Sequence, residues 1–327
     1  MVARGIHRLP VPTELAVGKV NAYLVEGDPL TLIDTGPPTT SALRALEQGL
    51  RQHGYALDDV ELIVVTHQHA DHVGLLGPVV ERSGATVAAL STLAPYLGDI
   101  LRARDDDLAV FEALMVRHGV PRAIAHRSLS AWRTRGARSQ DVEVDRPFQP
   151  DSVVDVAGRS FRALHVPGHS PSDTLLYDQA GGVAFAGDHL LGGISSNALM
   201  CRQPDRPWDG NRPRPLLAYR ESLRRTRALE LRLLLTGHGE PVTDHRVLID
   251  ARLRAHETRA RQVLAQLDHR PRTAHAVAQD LFGSRAGEQP LLTLSAVLGH
   301  ADLLIETGHA EEVVIDGVAH LRTVGRG

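Results

Sequence analysis

The first part of the chain alternates short apolar runs, which are typical of buried strands, with stretches whose apolar side chains recur at helical spacing. The predicted strands cover residues 21–27, 30–36, 60–67 and 85–90. The predicted helices cover residues 40–54 and 72–84. Asp28 and Pro29 predict a tight turn between the first two strands. This alternation predicts an α/β fold.

Residues 93–135 interrupt the alternation, because they are rich in arginine and aspartate and have a helical pattern. We interpret them as a helical insertion that caps a site. Strands then resume at residues 152–156, 161–169, 173–178 and 182–188. The irregular stretch 192–215 follows, and a loop of this length is more often functional than connecting. The pattern then predicts a helix at 216–230, a strand at 231–239 and a long helix from about Asp244.

The C-terminal part has a different, mainly helical character. Helical patterns cover residues 256–267, 273–282 and 292–308. Two apolar runs within 311–324 follow, and Asp316 and Gly317 between them predict a two-residue hairpin turn. Helices followed by a hairpin predict a winged-helix-like domain. We therefore predict a catalytic domain over residues 1–243 and a winged-helix-like domain over residues 244–327.

The composition is that of an ordinary folded protein, with 43% hydrophobic and 23% charged residues. With a formal net charge of -3, the protein as a whole does not attract nucleic acid or a membrane surface electrostatically. No run of about 18 apolar residues occurs, and the first ten residues lack the apolar stretch of a signal peptide. Cys201 is the only cysteine, so no intrachain disulfide can form, which fits a reducing compartment. We therefore expect a cytoplasmic protein with no membrane partner.

The candidate chemistry begins at "THQHADH", residues 66–72. His67 and His69 lie two positions apart at the end of a predicted strand, so both side chains can face one metal ion. Asp71 and His72 follow where the chain turns into a helix, and they can face a second site beside the first. Imidazole nitrogen and carboxylate oxygen suit zinc, with iron and manganese as alternatives.

Three more predicted strands end on a metal-binding type of residue, namely His169, Asp188 and His238. Each lies beside a glycine, which lets the backbone turn sharply at the rim of a sheet. Together with the first motif they make seven donors, which suits two metal ions that share one carboxylate. We expect most of the other histidines to be surface or packing residues, with His189 as an exception because it adjoins Asp188.

The segments "THQHADH", "PGHSPSD", "AGDHLL" and "TGHGEP", in this order, resemble the metallo-β-lactamase superfamily and, more narrowly, its glyoxalase-II-like hydrolase branch. The resemblance extends over about residues 5–245. It implies an αββα sandwich with the metal ions at one sheet edge. By resemblance, the first metal is bound by His67, His69 and His169, and the second by Asp71, His72 and His238. Asp188 is then the bridging ligand, and Asp34 orients ligating histidines.

The resemblance implies a hydrolase that holds two zinc ions per chain and attacks its substrate with a metal-bridging hydroxide. Asp71 then has a catalytic role as well, because it can steer the nucleophile and move a proton. A thioester of the acyl-CoA or acyl-carrier type is the expected substrate, since a thiolate is a good leaving group beside zinc. Two alternatives stay open: a metal-dependent endoribonuclease, and a lactonase or other ester hydrolase. The residues that bind the substrate are not assigned.

The chain differs in one respect from the glyoxalase II enzymes, and the difference changes the group that it resembles most. Glyoxalase II enzymes bind glutathione partly through lysines, whereas Lys19 is the only lysine here. The chain is more similar to superfamily members with a C-terminal winged helix, which include endoribonucleases related to lactamase-β-like protein 2 and acyl-thioesterases. Residues 286–321 contain six acidic residues and neither lysine nor arginine, so we expect no nucleic-acid binding by this part. A role in homodimerisation or in walling the active site is the expectation instead.

Overall fold

Two β-sheets pack face to face in the computed structural model, which describes residues 1–324, the side chains of residues 135 and 136 excepted. Residues 325–327, the end of the predicted C-terminal domain, lie outside the described residues. The first sheet has the strand order β1-β2-β3-β4-β5-β6, and β3 to β6 run parallel. Its strands are β1 (Ile6–Val11), β2 (Val20–Val25), β3 (Thr31–Ile33), β4 (Leu62–Val64), β5 (Thr86–Leu90) and β6 (Arg146–Phe148).

The second sheet has five strands in the order β11-β10-β9-β8-β7. Only β10 and β11 run parallel, and the other neighbours are antiparallel. The strands are β7 (Val153–Val156), β8 (Arg159–His165), β9 (Thr174–Asp178), β10 (Val183–Gly187) and β11 (Leu233–Thr236). The described residues 188–214, here called the long loop, form no helix or strand.

Helices cover the outer face of each sheet. The helices are α1 (Thr40–Arg51), α2 (Ala70–Val73), α3 (Leu76–Ser83), α4 (Ala94–Gly98), α5 (Ile100–Arg117), α6 (Arg122–Gly136), α7 (Pro215–Arg227), α8 (His245–Leu264), α9 (Ala274–Phe282), α10 (Arg285–Glu288) and α11 (Pro290–Glu306). Because side chains alternate along a strand, Leu24 contacts the core shared with α1 and α3, whereas Tyr23 contacts the core between the sheets. α7 and α8 cover the second sheet in the same way. The predicted αββα sandwich is therefore confirmed.

Several element boundaries differ from the prediction. β1 and β6 were not predicted, and the predicted helix 72–84 is two helices with Gly74 and Leu75 between them. The predicted helical stretch 256–267 continues the helix that begins at His245, so that most of it belongs to α8. The predicted insertion forms α4, α5 and α6, here called the insertion helices.

The C-terminal part places α8 to α11 beside a small sheet of order β12-β14-β13, formed by β12 (Arg272–Thr273), β13 (Ala310–Ile315) and β14 (Val318–Thr323). Asp316 and Gly317 have φ angles of 48° and 79°, as a two-residue hairpin turn requires. One apolar core joins this part to the insertion helices, where Leu114 and Leu298 are both fully buried. The division into two domains stays a prediction.

Within residues 1–324, no helix combines the length and the apolar character that crossing a lipid bilayer requires.

Candidate metal centre

The predicted ligands meet at one edge of the sandwich, where β4, β8, β10 and β11 end. β4 consists of three buried aliphatic residues, and the extended segment after it carries His67 and His69. Asp71 and His72 lie in the short helix α2, which begins directly after His69. His169 follows β8, Asp188 follows β10 and His238 follows β11. The fold thus brings together all seven predicted ligands.

The three-histidine cluster consists of His67, His69 and His169. His69 Nδ1 lies 3.2 Å from His67 Nε2 and 2.9 Å from His169 Nε2, so three ring nitrogens converge on one point. Burial, together with the neighbouring histidines, lowers the pKa of His67 well below its usual range and that of His69 to about 3. Both imidazoles are therefore neutral at pH 7, which is the form that binds a metal ion.

The aspartate cluster consists of Asp71, His72 and His238. Asp71 Oδ2 lies 3.2 Å from His238 Nε2 and 4.0 Å from His72 Nε2. Asp188 lies between the two clusters. Its Oδ2 is 3.6 Å from His169 Nε2 and 3.4 Å from His238 Nε2, and its Oδ1 is 3.4 Å from His72 Nε2.

In the aspartate cluster, nearby carboxylates outweigh the effect of burial on the pKa values of the histidines. Burial by itself lowers the pKa of His72 and His238, but Asp188 acts on both rings, helped by Asp34 at His72 and by Asp71 at His238. The net result raises the pKa of His238 to about 9 and that of His72 well above its usual range. Burial by itself raises the pKa of Asp71, but His238 and His72 beside it lower it.

The second ring nitrogen of four histidines is held by a hydrogen bond. Nδ1 of His72 donates to Asp34 at 2.8 Å, Nδ1 of His169 to the Asn197 carbonyl at 3.1 Å, and Nδ1 of His238 to the Lys19 carbonyl at 2.9 Å. Thr66 Oγ1 donates to Asp34 and can accept from His67 Nδ1 at 3.0 Å. These bonds orient each ring so that its Nε2 faces the centre.

Only one of these supporting residues, Asp34, was singled out in the sequence. Lys19 and Asn197 contribute a backbone carbonyl, which every residue has, so no sequence signal marks them. Thr66 opens the motif THQHADH, and its hydroxyl is the sequence signal for this support. His189 adjoins Asp188 but its Nε2 lies 2.9 Å from Thr226 Oγ1 of α7, and it belongs to none of the donor groups among the described residues.

Unsatisfied polar atoms show that this donor set fits a divalent cation. His72 Nε2, His238 Nε2 and Asp188 Oδ1 are all buried without a hydrogen-bond partner, although they lie within one small volume. Leaving buried polar atoms unpaired is costly, and a metal ion would satisfy all three. Asp34, His67 and His72 form a further group of donors, but Asp34 already accepts bonds from Thr66 and His72, so we interpret Asp34 as a support.

Comparisons with known proteins agree with this fold and site. The sequence profile of the Metallo-beta-lactamase superfamily matches residues 15–238. The chain is 35% identical to the probable metallo-hydrolase YqjP of Bacillus subtilis (strain 168) over 318 residues, which are 96% of this chain and 95% of that protein. It is 28% identical over 181 residues to the acyl-coenzyme A thioesterase MBLAC2 of Homo sapiens, or 54% of this chain and 60% of that protein.

Among solved structures, the crystal structure of a metallo-beta-lactamase family protein from Thermus thermophilus superposes with a TM-score of 0.81 and 28% sequence identity. The match covers 99% of this chain and 100% of that chain. The profile match covers most of the chain, and the relatives it resembles include a probable metallo-hydrolase aligned over nearly its whole length. The chain belongs to the metallo-beta-lactamase superfamily and is a metal-dependent hydrolase.

Proposed function

We propose that this protein is a dinuclear metallohydrolase that cleaves the thioester of an acyl-CoA or acyl-carrier substrate. The observation that carries the dinuclear part is the position of Asp188. One of its oxygens lies 3.6 Å from the three-histidine cluster at His169, and both lie 3.4 Å from a histidine of the aspartate cluster. A single carboxylate that reaches both clusters suits two ions that share it, and nitrogen and oxygen donors suit zinc.

The chemistry divides between the ions and the chain. Bound divalent ions supply Lewis acidity and make water more acidic. Asp71 supplies an ionised carboxylate, because His238 and His72 lower its pKa. The Asp71 side chain is 13% exposed, whereas those of His72 and His238 are 0% and 2% exposed, so Asp71 is the most exposed member of its cluster. It is therefore the residue placed to orient a water molecule, to accept a proton from it and to pass that proton to the leaving group.

The choice of a thioester rests on similarity and on leaving-group chemistry. The human relative that aligns with about half of this chain is an acyl-coenzyme A thioesterase by name. A thiolate is also a soft ligand that zinc accepts well. We propose that the insertion helices and the long loop shape the substrate pocket. In support, Arg202 of the long loop donates to the Ala103 carbonyl at 2.8 Å and lies 2.9 Å from Asp107 of α5.

We propose a winged-helix-like arrangement for the C-terminal part, with no role in binding nucleic acid. In support, most of α11 is buried against its own chain, so this helix does not present a free face to a groove of DNA or RNA. Two of the acidic residues in this part, Asp302 and Glu312, pair with Arg212 of the long loop. α11 therefore packs mainly within its own chain.

The proposed function is tested by offering the zinc-loaded protein a panel of acyl-CoA thioesters and a single-stranded RNA. We expect thioester turnover that Asp71→Ala abolishes and that Asp58→Ala, which changes an exposed aspartate, leaves unchanged. RNA cleavage without thioester turnover would replace this proposal by the endoribonuclease alternative. Metal analysis of the purified protein is the second measurement, and fewer than two ions per chain would contradict the dinuclear site.

A further inference from the structure

We infer that Asn197 is a positioning residue that couples the metal centre to helix α11 of the C-terminal part. Its backbone carbonyl accepts the hydrogen bond from His169 Nδ1 at 3.1 Å. Its side-chain Nδ2 donates to the Leu292 carbonyl, in the first turn of α11, at 3.2 Å. A single residue therefore joins a proposed metal ligand to a helix that lies outside the matched superfamily region. The inference rests on the ligand assignment proposed above.

The imidazole of His169 depends on this contact for its orientation. With Nδ1 bonded to Asn197, Nε2 is the nitrogen that faces His69 and Asp188, at 2.9 and 3.6 Å. Rotation of the ring would move Nε2 away from both. Because the acceptor is a backbone atom in a stretch with no helix or strand, its position must be fixed by other contacts of the long loop.

Those contacts are present at the residue itself and next to it. The neighbouring Ser196 hydroxyl donates to the Asp188 carbonyl at 2.5 Å, which ties the loop to the proposed bridging ligand. The Asn197 side chain ties the same turn to α11. Leu291 and Leu294, on either side of Leu292, are 2% and 0% exposed, so this end of α11 is itself held firmly in the core.

A second contact fixes the far end of the long loop to the same helix. Arg212 donates to both oxygens of Asp302 in α11, at 2.9 and 2.6 Å. The loop is thus anchored on α11 near its start and near its end. We infer that α11 acts as an outer support of the three-histidine cluster, and that Asn197 is the point of contact.

The experiment compares metal binding by the wild type, Asn197→Ala and the control Asn211→Ala. Asn211 is an exposed asparagine of the same loop, and its side chain bonds to Asp209 within that loop. Zinc affinity is measured by competition with a chelator, and cobalt(II) absorption reports the geometry of each site. Loss of a supporting contact to a metal-binding histidine weakens metal binding by roughly 10- to 100-fold. The Asn197 side chain does not contact His169 but holds the carbonyl that does. We therefore expect the lower end of this range, about tenfold, at the three-histidine cluster.

The outcomes separate this inference from the proposed function and from a merely structural role. Wild type that binds fewer than two ions contradicts the proposed function and not the role of Asn197. The inference is overturned if Asn197→Ala leaves the zinc affinity unchanged or weakens the binding of both ions equally. It is also overturned if Asn211→Ala weakens zinc binding as much as Asn197→Ala does. If Asn197→Ala folds too poorly to assay, Asn197→Leu keeps the branching and approximate size of the side chain and removes the donor without adding a charge, with the same result expected.

Discussion

The Asp34 carboxylate accepts a hydrogen bond from His72 Nδ1 at 2.8 Å, and this bond turns His72 Nε2 toward Asp188. Asp34 follows the last residue of β3 and has a φ of 56°, a left-handed conformation that aspartate adopts more readily than most residues. Its oxygens also accept bonds from the Thr66 amide at 2.9 Å and the Thr66 hydroxyl at 2.7 Å. One buried carboxylate thus supports both ends of the histidine motif.

The variant Asp34→Asn is expected to weaken metal binding at the aspartate cluster by roughly 10- to 100-fold, because an amide accepts less strongly from His72 Nδ1 and can present a donor instead. Chelator competition measures the affinity, and Asp58→Asn is the control at an exposed position. Wild-type affinity in Asp34→Asn would show that the carboxylate does not orient His72.

Arg212 and Asp302 form an ion pair that is almost fully buried, with side-chain exposures of 7% and 0%. Removing one partner of a buried pair leaves the other charge unpaired, which costs about 3–5 kcal/mol of unfolding free energy. Glu312 lies 3.3 Å from Arg212 and compensates in part, so we expect about 3 kcal/mol for Asp302→Asn. Urea denaturation of the metal-free protein gives the value.

The control for this prediction is Arg133→Ala, which removes the ion pair with Asp105, where both side chains are more than half exposed. Such surface pairs contribute about 0–1 kcal/mol. If Asp302→Asn costs no more than Arg133→Ala, the buried pair does not anchor the long loop.

The metal ligands could be predicted because they are side chains with a local pattern. His67, His69, Asp71 and His72 lie within one short motif, and each remaining ligand follows an apolar strand and adjoins a glycine. The carbonyl supports from Lys19 and Asn197 could not be predicted, since a backbone oxygen carries no residue identity. They exist only because the fold brings loops distant in sequence to the same rim.

The strands that were missed show a similar limit. β1 includes Pro10 and is recognisable mainly by its pairing with β2. β6 is three residues long, and only Phe148 of it is buried, so no apolar run marks it. The apolar character of α11 was evident, but its partner was not. Leu298 packs in the same core as Leu114, and only the fold brings these residues together.

The buried His118 is expected to lower the free energy of unfolding in acid. Burial, with Arg212 and Arg117 nearby, lowers its pKa from 6.5 to about 3. Below pH 6.5 the unfolded chain takes up a proton that the folded chain excludes until about pH 3, so stability is full above pH 6.5 and falls as the pH decreases. At pH 5 the loss is about 2 kcal/mol, from roughly 1.4 kcal/mol for each pH unit.

The check is urea denaturation at pH 7.5 and pH 5.0 with a chelator present, which removes any contribution from metal release. Other titrating groups act equally in the wild type and in His118→Gln, so the variant is expected to lose about 2 kcal/mol less between the two conditions. His126→Gln, at an exposed position of α6, serves as control. Identical losses in the wild type and His118→Gln would mean that His118 takes up its proton equally in both states.

Gly237 gives the sharpest steric prediction for the site. A Cβ at this position would lie 2.2 Å from Asp188 Oδ1 and 2.8 Å from Cε1 of His72, so Gly237→Ala must displace the proposed bridging carboxylate. A displacement of about 1 Å at a reacting centre can reduce turnover about 100-fold. We expect that reduction with whichever substrate the wild type hydrolyses, together with fewer than two bound ions in metal analysis. Gly287→Ala is the matched control, because Gly287 is an exposed residue of α10 and a Cβ there meets nothing within 4 Å. Full turnover and full metal content in Gly237→Ala would mean that Asp188 can move without loss, and hence that its bridging position is not required.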